Sequence, residues 1–176
     1  ILLNKPKGTV TSVTDTHGRK TVMDCLAGVN ARVFPVGRLD MDVEGVLLLT
    51  NDGDLAYRLT HPKHGVNKEY VAWVRGVMTH ETAARLAKGV VLEDGPTAPA
   101  KVSIASVEQA ATEVRLTLHE GRKREVKRML AAVGHPVQTL RRVSFAGLHA
   151  TNLRPGQWRY LTETELASLH RMADLY

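Results

Sequence analysis

The chain has a single cysteine in 176 residues, Cys25. That excludes an internal disulfide and the common structural zinc sites, and it fits a reducing compartment, with the cytoplasm as the expected location. Long apolar runs are missing as well. None approaches the ~20 residues needed to cross a bilayer, and the start lacks the basic-then-apolar pattern of a secretion signal. No membrane partner is expected. The sequence opens at Ile1, already inside an apolar run, so an upstream segment is expected to have been trimmed. No fixed-period repeat and no low-complexity stretch is found.

Acids are in short supply: 24 Lys and Arg stand against 18 Asp and Glu, a net charge of +6. Such an excess points to an anionic partner, most often nucleic acid. Its distribution is uneven. Between His119 and Arg142 seven basic residues (122, 123, 124, 127, 128, 141 and 142) face two acids (120 and 125), so one segment carries nearly all of it. A solvated helix face is the simpler reading of the same charges. Length and an ordinary 43% apolar content suggest one domain with a substantial core.

The central stretch is Gly37-Arg38-Leu39-Asp40-Met41-Asp42-Val43-Glu44-Gly45, running into Val46-Leu47-Leu48-Leu49-Thr50 and the turn Asn51-Asp52-Gly53. The apolar run has the length of a fully buried strand. A carboxylate on the loop that enters such a strand sits on a rigid support within reach of solvent, where chemistry is commonly placed. Asp40 is the first candidate. The simpler reading takes Asp40, Asp42 and Glu44 alike as turn-forming loop acids.

Around this stretch the pattern alternates strands with short helices. Strands are expected at 1–3, 32–36, 66–77, 101–107, 113–119, 137–145 and 157–161, and a strand or extended loop at 9–14. Helices are expected at 21–26, 54–59, 80–87 and 124–132, with a last one after the capping box Thr162–Glu165. Leu92 to Pro96 reads as a turn. Many neighbouring strands are hairpin-like, so the expected class is α+β with a mixed, mostly antiparallel sheet.

Several blocks then resemble one family in order and spacing: Asn4-Lys5-Pro6-Lys7-Gly8, Gly37 to Asp40, Glu44-Gly45, Leu47 to Gly53, Thr60-His61-Pro62, Lys68-Glu69-Tyr70, Leu92 to Pro96 and Glu120 to Met129. Together, over essentially the whole chain, they resemble the RsuA-like pseudouridine synthases of ribosomal RNA. The block Leu92-Glu93-Asp94-Gly95-Pro96 looks most like the RluB branch, which acts on the large subunit. The resemblance implies a catalytic domain over residues 1–176, in a sheet split into two lobes with flanking helices and a central cleft. A small RNA-binding domain that commonly precedes it in the family is not in this sequence. It also implies isomerisation of uridine to pseudouridine without metal or organic cofactor, and ribosomal RNA as the partner. The family's indispensable acid matches Asp40, its active-site tyrosine Tyr70, and the basic partner of the acid Lys127. One departure is Val43, where the family usually has Ser or Thr, so the loop lacks a possible hydroxyl hydrogen bond.

The chemistry suits these residue types. A carboxylate can attack a sugar carbon or take the proton at C2′, and the sequence leaves both open. Either role needs a charged Asp40 in a water-poor cleft, which an adjacent cation favours and desolvation opposes; Lys127 is the first choice for that cation and Arg38 a local alternative. Tyr70 can stack on uracil, at ~1–3 kcal/mol per base. Arg122, Lys123, Arg124, Arg128, Arg141 and Arg142 are assigned to RNA backbone or to local fold electrostatics, and Lys5 and Lys7 are weaker RNA candidates. A monomer is expected. Two rivals stand beside this reading: an RNA-binding paralogue without activity, and a nuclease holding magnesium on Asp40, Asp42 and Glu44 or on Asp52 and Asp54.

Overall fold

The computed structural model describes residues 1–175. Its centre is strand β3 (Glu44–Thr50), which is apolar on both faces because both are covered. Val46 and Leu48 join one core with Leu2, Val36, Leu55, Leu59, Phe145 and Leu169. Leu47 and Leu49 join a second on the opposite face, with Leu3, Val22, Leu39, Val43, Leu116, Val126 and Met129. Each fully buried leucine contributes roughly 1.5–3 kcal/mol. The strand starts at Glu44, two residues before the apolar run, since Glu44 and Gly45 pair in parallel with Arg141 and Arg142.

The remaining elements, in chain order, are β1 (Leu2–Lys5), β2 (Phe34–Val36), α1 (Gly53–Thr60), β4 (Lys68–Arg75), α2 (His80–Lys88), β5 (Val91–Leu92), β6 (Gly95–Pro96), β7 (Lys101–Glu108), β8 (Ala111–Leu118), α3 (Glu125–Ala132), β9 (Val137–Phe145), β10 (Leu148–His149), β11 (Trp158–Arg159) and α4 (Glu163–Met172). One nine-stranded sheet runs β11-β1-β3-β9-β4-β8-β7, with β2 added to β3 and β10 to β9. Among the described residues, the only parallel strand pairing within this sheet is β3–β9; its other strand pairings are antiparallel. The expected α+β class and mixed, mostly antiparallel sheet are what the chain forms. Three helices start at side-chain caps, the expected Thr162–Glu165 box among them. Asp52 caps α1 through Leu55, Thr79 caps α2, and the Thr162–Glu165 capping box starts α4.

In three short segments, 9–14 takes the loop alternative, 21–26 is shorter than expected and 92–96 keeps its turn. Residues 9–14 make only one bridge, Val10 with Thr21. The helix expected at 21–26 is a single 3-10 turn, Val22–Cys25, although its Thr21–Asp24 capping box is formed. The turn at 92–96 is the tip of a small hairpin, β5–β6.

The two halves of the sheet join at the β3–β9 seam, and one glycine permits the approach. Gly45 has φ 128°, and a Cβ there would lie 2.0 Å from the Arg142 carbonyl oxygen. Gly45→Ala is therefore expected to destabilise the fold by ~2–4 kcal/mol, through backbone strain and overpacking. Thermal melting checks this; an unchanged Tm would mean that the seam is not so closely packed.

Candidate active site

The loop between β2 and β3 folds into a turn at Asp40-Met41-Asp42-Val43, closed by the Val43 amide donating to the Asp40 carbonyl at 3.0 Å. Neighbouring segments pin it. The Thr11 hydroxyl donates to the Leu39 carbonyl at 2.7 Å and accepts from the Leu39 amide. The Gly8 amide donates to the Met41 carbonyl at 2.8 Å. Beneath the turn Lys5 is fully buried, and its Nζ donates to the carbonyls of Val43 at 2.7 Å, Pro6 at 2.9 Å and Met41 at 3.4 Å. Burial lowers the Lys5 pKa to about 8, with Asp42, Cys25, Asp40 and Glu44 opposing that shift. The loop that has Val43 in place of a hydroxyl residue is thus held by main-chain bonds and an interior lysine.

The first turn of α3 faces this loop. Lys127 Nζ donates to Asp40 Oδ2 at 3.0 Å and to Asp42 Oδ1 at 2.7 Å, so one ammonium clamps both carboxylates. The Lys127 hydrogen bond lowers the Asp42 pKa. Arg124 approaches Asp40 at 4.0 Å, a far weaker contact. Arg38 lines the same cleft, but the bond to Asp40 comes from Lys127. The open cleft between loop and helix has a volume of about 90 Å³ and is lined by Arg38, Asp40, Tyr70, Arg124, Lys127 and Leu140 among others. Tyr70 enters from β4 and is half-buried. The Asp40 side chain is 42% exposed, so in the free protein the carboxylate meets water; a dry setting requires something to cover it.

A paired acid, a lysine and a tyrosine in one cleft agree with what comparison with known proteins finds. The family model described as RNA pseudouridylate synthase matches residues 1–132. The chain belongs to the RNA pseudouridylate synthase family. It is 43% identical over 175 residues to the ribosomal large subunit pseudouridine synthase B of Bacillus subtilis, covering 98% of this chain and 72% of that protein. It is 38% identical to the ribosomal large subunit pseudouridine synthase E of Vibrio vulnificus, over 92% of this chain and 74% of that one. A crystal structure of a pseudouridylate synthase superposes with a TM-score of 0.87 at 35% identity, covering 96% of this chain and 72% of the other. The protein is a pseudouridine synthase, an isomerase.

The basic residues of the synthase fall into two groups. Lys7, Lys123, Arg124 and Arg141 are exposed. Arg122 and Arg128 are tied to the β5–β6 hairpin: Arg128 donates to both Asp94 oxygens at 2.8 and 3.2 Å, and Arg122 to Asp94, to the Gly95 carbonyl at 3.0 Å and to the Pro96 carbonyl. One expectation is corrected and one open alternative is narrowed. Lys5 does not face RNA, because its ammonium is spent inside the loop. Arg142 falls on the fold side of its assignment: it is 3% exposed, donates to the Val46 carbonyl at 2.9 Å and lies 4.8 Å from the Phe145 ring. Burial lowers its pKa, while Tyr70 supports its charge.

Four of the five acids proposed for magnesium, Asp40, Asp42, Asp52 and Asp54, are otherwise engaged. Asp42 bonds Lys127, Asp52 caps α1 and Asp54 pairs with Arg58 at 3.0 Å. Among the described residues, no group of three or more His, Cys, Asp or Glu is placed to hold a metal ion, and no helix is long and apolar enough to cross a membrane. Sequence reasoning missed the role of Asp42 as second partner of Lys127; acids two apart on a turn were the available signal. It also missed Glu120 and Glu125 in the cleft wall, for which no sequence signal existed.

Proposed function

We propose that this synthase converts a uridine of large-subunit ribosomal RNA to pseudouridine, with Asp40 acting on the ribose. The observation that carries the reading is the Lys127–Asp40 bond of 3.0 Å inside a cleft that Tyr70 also lines. The names of the relatives in Bacillus subtilis and Vibrio vulnificus support the choice of RNA.

In this reading a uridine leaves its stack at a cost of a few kcal/mol and enters the cleft. Stacking on Tyr70 recovers ~1–3 kcal/mol. Phosphate contacts from Lys7, Arg38, Lys123, Arg124 and Arg141 offset the rest and make binding weaken steeply with salt. The base covers Asp40 and excludes water, and Lys127 then holds the carboxylate charged and aimed. Asp40 either attacks C1′ or removes the C2′ proton; in both routes the N1–C1′ bond breaks. The uracil rotates while held and C5 bonds to C1′, which expels the Asp40 carboxylate from C1′ in the first route and is followed by return of the C2′ proton from Asp40 in the second; the C5 proton leaves to solvent and N1 gains a proton. Atoms and electrons balance within the substrate, so the reaction consumes no co-reactant. The setting proposed is the cytoplasm, with the protein as a monomer.

The test is incubation with uridine-labelled ribosomal RNA in chelator. Pseudouridine without added metal is the expected result. Cleavage that needs magnesium, or binding with no product, would contradict the reading.

A further inference from the structure

Two carboxyl groups meet in the cleft wall, one of them with an oxygen that lacks any donor. Glu125 opens α3 and is 5% exposed. Its Oε1 accepts the Arg122 amide at 2.9 Å, while its Oε2 is buried with no hydrogen-bond partner. The side chain against it is Glu120, whose Oε1 accepts the Ala98 amide at 2.9 Å. Two carboxylates only repel, but one proton between them makes a hydrogen bond and satisfies the orphaned oxygen. Oε2 is sealed from solvent, so it touches no substrate.

The charged groups facing the pair do not supply that bond. Arg122 Nε lies 3.7 Å from Glu120 and its guanidinium is committed to the β5–β6 hairpin. Arg128 serves Asp94, and Lys68, from β4, points its ammonium to the Val66 carbonyl at 3.4 Å. His119 acts on Glu120 from the end of β8.

We propose that Glu120 and Glu125 share a single proton, and that this pair is a positioning device: it holds the 120–124 connector and the first turn of α3 so that Lys127 meets Asp40. The idea rests on the roles proposed above for Asp40 and Lys127. Electrostatics point the same way. Burial, and then the bond to Glu120, push the Glu125 pKa up to about 7. Burial raises that of Glu120 too, but the bonds from Glu125 and the Ala98 amide outweigh it and hold Glu120 low. A pair driven apart in this way keeps one proton below neutral pH and loses it as the pH rises through about 7. Two negative charges then repel across the connector, and Lys127 shifts from Asp40.

The experiment compares the wild type with Glu125→Gln, whose amide accepts from Arg122 and donates to Glu120 at every pH. In the wild type, kcat is expected to fall with a one-proton limb starting near neutral pH while KM stays nearly constant. In Glu125→Gln that limb is absent, and activity at pH 6 stays within about threefold of wild type. Any later limb from Lys5 remains in both. In parallel, the nitrogen NMR signal of the Lys127 ammonium is expected to shift with the same midpoint in the wild type and not in the variant. An identical alkaline limb in both proteins, or a Lys127 signal indifferent to Glu125, would overturn the proposal. If the wild type makes no pseudouridine at any pH, the proposed function fails, and the Lys127 signal still decides the fate of the pair.

Discussion

Asp40→Asn is expected to bind RNA as tightly as the wild type and to turn over at least ~10⁴-fold more slowly, a loss of about 5.5 kcal/mol in transition-state stabilisation. Folding is not at issue. The side chain is 42% exposed, the amide is isosteric, and its oxygen still accepts from Lys127, which keeps Asp42 at 2.7 Å as its second partner. Charge and basicity are what disappear. An amide neither attacks C1′ nor removes a C2′ proton, so both routes open to a carboxylate stop together. Single-turnover assays with a parallel binding measurement separate this from lost affinity; a variant as active as wild type would remove Asp40 from its role.

Lys127→Met separates the free enzyme from the covered one. In the free protein Asp40 and Asp42 are well solvated, with exposures of 42% and 72%, so the ion pairs contribute ~0–1 kcal/mol and Tm is expected to change little. Once a base covers Asp40, water no longer screens it. A carboxylate left without its cation then costs ~2–4 kcal/mol, so kcat is expected to fall about 30- to 1,000-fold. Lys127→Arg is expected to recover part of this, since a guanidinium keeps the charge but not the compact geometry. A large loss of Tm with kcat preserved would mean that Lys127 is structural.

Much of this site was legible in the sequence because its parts lie in local patterns. The run Val46–Thr50 announced a buried strand, the Thr162–Glu165 capping box announced a helix start, and the blocks around Asp40, Tyr70 and Lys127 pointed, by the family resemblance, to one cleft. What stayed hidden depends on distance along the chain. Lys5 read as a surface lysine on a basic turn, and only the packing of β1 under the 40–43 turn turns it inward to three carbonyls. Arg142 sits next to Arg141 in a strand, and strand alternation put one outside and one inside without revealing which. Arg122 and Arg128 stayed undecided between RNA backbone and local fold because their partner Asp94 lies 28 and 34 residues away. The Glu120–Glu125 contact likewise needs the connector to fold back on α3, and five residues of spacing do not announce it.

One measurement separates chemistry from scaffolding most directly: release of tritium from 5-tritiated uridine in ribosomal RNA, in chelator, by Asp40→Asn and Asp42→Asn side by side. Both variants lose one of the two carboxylates that Lys127 clamps. The expected result is no detectable release from Asp40→Asn and a rate within roughly tenfold of wild type from Asp42→Asn, whose lost ion pair is exposed. Equal losses in the two variants, or release by Asp40→Asn, would contradict the assignment of the chemistry to Asp40.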